Sequence, residues 1–119
     1  MKKIIATLLF LALTASITGC TTLDRDYLDD IVIELDEQDA EIIIREWQFL
    51  LGSGAEIYYR KNGKMEMLGQ TSGGDDGYCP FADGRYAVTL DGSTLLVRWY
   101  FNTVNGEEIW REQTFTLPT

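Results

Sequence analysis

The sequence predicts an all-β protein, a small antiparallel β-sandwich or open barrel of about seven strands. Three observations point there. Apolar and polar residues alternate with the period of two that a half-buried strand requires. Asn-Gly and Asp-Gly pairs punctuate the alternation at short intervals, as hairpin turns do. The apolar positions favour isoleucine, valine, tyrosine and tryptophan, which pack well on a pleated surface.

The elements follow in order. Residues 31–35 and 42–47 read as strands joined by the polar turn Asp36 to Asp39. The second run has an alternative reading, a helix capped by Asp39 and stopped by Gly52. Three consecutive isoleucines favour the strand, because β-branched side chains are restricted against the preceding turn of a helix. Ile57 and Tyr59 then alternate with Glu56 and Tyr58, and Lys61-Asn62-Gly63 returns the chain into Met65 and Met67. A bulged three-residue loop is expected there, since it sets both methionines inward with Ile57 and Tyr59. Tyr86, Val88 and Leu90 lead to Asp91-Gly92, and a two-residue turn at that pair sets Val88 opposite Leu95 and Tyr86 opposite Val97. The last hairpin is expected to close through a second bulged loop, Val104-Asn105-Gly106. That register places Leu95 opposite Phe115 and Phe101 opposite Ile109 inward. Arg98 then meets Glu112, and Tyr100 meets Trp110, on the outward face.

The first twenty residues follow different physics. Lys2 and Lys3 precede an apolar run from Ile4 to Ala15, and small residues lead to Cys20. This is the order of a cleaved export signal, and the run from Ile4 to Ile17 is shorter than the about 20 apolar residues that a spanning helix needs. Ile17-Thr18-Gly19-Cys20 resembles a bacterial lipobox, and the leader is similar to those of bacterial lipoproteins. The resemblance covers residues 1–20 only. It implies loss of residues 1–19, a thioether-linked diacylglyceryl group on Cys20 and, in many bacteria, an acyl group on the new amino terminus. Two or more acyl chains hold a protein on a membrane where one binds marginally. The expected organisation is therefore a signal peptide over 1–19, a lipidated Cys20 with an acidic tether over 20–30, and one β domain over 31–119. Asp24, Asp26, Asp29 and Asp30 make the tether polar. The expected location is extracytoplasmic, with the lipid anchor in a membrane: the outer membrane of a two-membrane cell, since Thr21 is not the Asp that resembles an inner-membrane retention signal, or the outer face of a single membrane.

Charge and composition narrow the function. The chain carries a formal charge of −9, and removing residues 1–19 removes two lysines and no acid, so the exported part is more acidic still. Such a surface repels nucleic acid, and no nucleic-acid partner is expected. Histidine is absent, which removes the commonest general base and zinc ligand. Catalysis is not expected; a carboxylate-dependent hydrolase is the residual enzymatic reading. No cofactor is expected, and Asp75, Asp76 and Asp83 do not follow the spacing of an EF-hand loop. With Cys20 lipidated, Cys79 has no partner within the mature chain, and packing beside Pro80 and Phe81 is preferred to an exposed reactive thiol.

Two features remain as candidate sites. The stretch from Thr71 to Phe81 is the longest irregular piece, and Asp75, Asp76, Tyr78 and Asp83 form a candidate functional loop. Tyr100 and Trp110, paired on the outward face, form a candidate binding surface, although a cross-strand aromatic pair also stabilises a sheet by itself. The reading is a noncatalytic, membrane-anchored domain that binds a protein or an envelope glycan. The alternative is an acidic inhibitor of a basic extracellular hydrolase.

Overall fold

Ile42, Ile43 and Ile44 occupy the centre of the molecule, and each has at most 1 % of its surface exposed. Ile42 and Ile44 point into the core, and Ile43 is buried among its own sheet's neighbours Val32 and Tyr58 on the opposite face. A strand buried on both sides accepts consecutive apolar residues, so this segment is a strand and not the capped helix. The computed structural model describes residues 25–118, and Cys20, the leader and the first part of the tether lie outside the described residues. Strands β1 (Asp26–Tyr27), β2 (Ile31–Leu35), β3 (Ala40–Phe49), β4 (Gly52–Lys61) and β5 (Lys64–Ser72) form one sheet. Strands β6 (Tyr86–Asp91), β7 (Thr94–Val104) and β8 (Glu107–Thr116) form the second. All pairings are antiparallel. β1 and β2 share one edge of β3, so the outer strand of the first sheet is interrupted at residues 28–30. The second half of the expected tether is thus joined to the sheet.

The two sheets pack as a β-sandwich over one core. Ile42, Ile44 and Ile57 come from the first sheet, Leu95, Val97, Trp99 and Phe115 from the second, and Phe81 from the connecting segment. Fully burying such a side chain contributes about 1.5–3 kcal/mol.

The hairpins depart from the expected registers in an instructive way. Asn62-Gly63 and Asn105-Gly106 each form a two-residue turn, with Lys61 opposite Lys64 and Val104 opposite Glu107. Both residues of each turn have positive φ: 54° and 76° in the first, 53° and 79° in the second. A type I′ turn requires this, and its twist matches that of the strands it joins. The expected bulge exists in both hairpins, but inside a strand and not in the loop. In the first, the register shifts at Ile57/Tyr58, so Leu68 is the extra residue and Met65 and Met67 face outward, opposite Arg60 and Tyr58. In the second, the extra residue is Phe101, so Ile109 faces Asn102. Beyond that bulge the expected register holds, with Leu95 opposite Phe115, Arg98 opposite Glu112 and Tyr100 opposite Trp110. The β6–β7 turn is Gly92-Ser93, one residue later than expected, which sets Val88 opposite Val97 and Tyr86 opposite Trp99. That slip is two positions along the partner strand, so every side chain keeps its face.

Candidate functional site

The alternation along β7 sends Trp99 inward and Tyr100 outward, and Trp110 follows on the neighbouring strand. Their rings meet edge-to-face, with centroids 6.0 Å apart. Tyr78, from the irregular segment after β5, also packs against Tyr100, with centroids 5.7 Å apart and again T-shaped. The candidate loop and the candidate pair therefore form one surface, a row running Tyr78–Tyr100–Trp110.

Two arginines lie on this row. The backbone N–H of Tyr100 donates to the carbonyl of Arg85, extending β6 by one position and bringing the Arg85 guanidinium over the Tyr100 ring at 3.8 Å. Arg98 lies over Trp110 at 5.6 Å. Each arginine also has a carboxylate: Arg85 pairs with Glu108, and Arg98 with Glu112 at 3.5 Å. Glu108 in addition accepts the Trp110 indole N–H at 3.1 Å. The Trp110 and Arg85 donors together hold the Glu108 carboxyl below its ordinary value. Arginine stacked on an aromatic face gains about 0.5–1 kcal/mol at an exposed site.

The loop is held from below. Gly74 N–H donates to the carbonyl of Tyr78, the Ser53 hydroxyl donates to the same oxygen at 2.7 Å, and Gln48 donates to the carbonyl of Gly77 at 3.0 Å. Tyr78 donates its hydroxyl to Asp83, which pushes the phenol pKa up. Asn102 donates to Asp75 at 3.3 Å, tying the loop to the far end of β7. Asp76 is exposed, with φ 54°, and makes none of these bonds. The aspartates are thus spread over different partners, and no group of three acids or thiols converges as a cation cage among the described residues.

Beneath the loop sits Glu46, a residue the sequence reading passed over. It projects from the inner face of β3 opposite Ala55, whose small side chain leaves it room, and only 1 % of its surface is exposed. Its carboxylate accepts the backbone N–H groups of Phe81 at 3.0 Å and Ala82 at 2.7 Å. Burial raises its pKa, and those two bonds oppose the rise. Glu46 thereby fixes the segment that places Phe81 in the core and Tyr78 and Arg85 on the surface. Cys79 is half-buried, its sulfur 3.7 Å from the carbonyl of Gly77. Burial pushes its thiol pKa up, which favours the protonated form.

The sequence pattern placed Tyr100, Trp110 and Arg98 on the outward face, with Arg98 opposite Glu112, but passed over Arg85, Glu108 and Glu46. The role of Glu46 was not legible, because a buried acid in an isoleucine-rich strand gives no local sign of the backbone groups that will reach it. Comparison with known proteins gives no match among family models, curated proteins or solved structures.

Proposed function

We propose that this chain is a lipid-anchored extracytoplasmic protein whose noncatalytic sandwich binds another protein through the Tyr78–Tyr100–Trp110 row. The observation that carries the reading is the convergence of Tyr78, Tyr100, Trp110, Arg85 and Arg98 on one outward face. Tyr, Trp and Arg are the residue types that dominate binding energy at protein interfaces. A glycan fits this surface less well. Sugar rings stack on open aromatic faces, whereas Arg85 covers a face of Tyr100 and Tyr78 and Trp110 pack against the same ring. The leader supports the location through its resemblance to a lipobox. The lack of histidine supports a binding role over acid–base catalysis.

The test is capture of envelope proteins by the full chain and by a Tyr100→Ala, Trp110→Ala double variant of equal thermal stability. The double variant is expected to lose the partner, at a cost of about 2 kcal/mol or more. Unchanged capture by the folded variant, or retention by purified envelope glycan in place of protein, would overturn the reading.

A second reading has its own observation, the loop pinned at Gly74, Gly77 and Tyr78 with Asp76 presented free at its crest. A rigid acidic loop suits inhibition of a basic hydrolase, and charge would steer that association. Inhibition at low ionic strength that fades with salt and is lost in Asp76→Asn supports it; no inhibition at low salt removes it.

A further inference from the structure

Among the described residues nothing packs over the outward face of the first sheet, and its composition differs from the rest of the surface. Val32, Ile43, Tyr58 and Met67 form a row straight across four strands. Ile43 is buried within the row, while Val32 and Met67 are 48 % and 43 % exposed, with Met65 and Tyr27 beside them at 41 % and 52 %. Below the row lies a tight polar layer. Glu56 accepts the hydroxyls of Tyr58 at 2.6 Å and Tyr27 at 2.9 Å, and Arg25 reaches it at 3.4 Å while lying over the Trp47 ring at 4.1 Å. Arg45 grips Asp30 through two bonds, and Arg60 grips Glu41. Arg25, Arg45 and Arg60 thus offset Asp30, Glu41, Glu56 and Glu34, which leaves this face close to neutral on a chain of charge −9.

Chain geometry says what lies next to it. Arg25 packs on this face, and Cys20 precedes it by five residues. Five residues reach at most about 17 Å even when fully extended. If Cys20 carries acyl chains, the bilayer surface lies within about that distance of the Arg25 backbone. The nearest broad surface is then the neutral face bearing tyrosine, methionine and valine. Amphipathic aromatics are favoured where an apolar layer meets water, and near-neutrality avoids the repulsion an acidic protein meets at anionic headgroups.

We infer that the outward face of the five-stranded sheet rests against the headgroup region of the bilayer in which Cys20 is anchored. Because the sheets of a sandwich turn their outer faces in opposite directions, this orientation presents Tyr78, Tyr100 and Trp110 to the space beyond the membrane. The inference rests on the lipid anchor of the proposed function and adds the side on which the domain lies.

Methionine oxidation tests it on the full chain. The acylated protein on vesicles of phosphatidylethanolamine and phosphatidylglycerol, and a Cys20→Ala protein mixed with the same vesicles, are treated with dilute peroxide and mapped by mass spectrometry. The same spectra report whether Cys20 carries lipid. Met65 and Met67 are expected to oxidise several-fold more slowly in the acylated protein. Val32→Asp with Met67→Asp, read through Met65 alone, is expected to abolish the protection while leaving the anchor in place. Equal oxidation in an acylated protein would overturn the orientation and leave the anchor standing. Protection that rises with protein concentration without vesicles would overturn it in favour of a second copy. An unmodified Cys20 would overturn both the anchor and the orientation.

Discussion

Glu46 and Glu56 are both buried carboxylates of the first sheet, on β3 and β4, yet they face opposite sides of it and are satisfied by different chemistry. Glu46, on the inner face, takes two backbone N–H groups from the segment that crosses between the sheets, and among the described residues no cation pairs with it. Glu56, on the outer face, takes two tyrosine hydroxyls from its own sheet and an arginine from just before β1. The buried N–H of Phe81 cannot turn away to water when its acceptor is lost, whereas side chains on an open face can. The inner acid therefore holds the fold's connection, and the outer one organises a surface.

The largest effect that would sharpen this contrast is Glu46→Ala. It strands the N–H groups of Phe81 and Ala82 and is expected to cost about 2–5 kcal/mol, read as a lowered midpoint in urea unfolding. It should also free Tyr78 and Arg85 from their places, so the T-shaped contact with Tyr100 is lost with it. Glu56→Ala is expected to cost less, about 1–2 kcal/mol, since Tyr27, Tyr58 and Arg25 can hydrate. Equal destabilisation by the two variants would break the distinction between the faces.

The smallest effect is a pH dependence confined to the inner acid. Its folded pKa lies above the ordinary carboxylate value of 4.5, so the folded state binds the proton more tightly than the unfolded chain does. The stability this contributes is fully present below that ordinary value and is lost as pH rises through the raised one. The melting temperature of the wild type, measured relative to Glu46→Gln, should therefore fall as pH rises from about 4.5 and then level off. A difference that rises with pH across that window would show that the two backbone bonds outweigh burial.

Much of the sandwich was legible because its signals are local. Asn-Gly pairs need no distant partner to specify a type I′ turn, and alternation alone assigned Trp99 and Tyr100 to opposite faces. Strand pairing was less legible where local rules compete. Keeping Met65 and Met67 inward required a longer loop, but the turn kept its two residues and the strand absorbed the mismatch at Leu68. The same competition moved the extra residue of the last hairpin to Phe101. The methionines lost because the core beside Ile57 and Tyr59 is already filled from the second sheet, by residues such as Phe115, whose ring lies against Gly69. Gly54 shows the same non-local dependence: a Cβ there would come within 2.6 Å of the Trp47 ring, a contact that exists only once β3 and β4 are paired.

By itself the sequence determined the all-β class, where the hairpins lie and the outward pairing of Tyr100 with Trp110, since each depends on neighbours along the chain or across one turn; the exact turns and the positions of the bulges it did not. Only the tertiary structure decided that Tyr78 joins that pair, that Arg85 caps it and that Glu46 holds the connection in place. Those contacts link residues far apart in the chain, and a pattern of residue types carries no record of which distant segment will supply a donor or a ring.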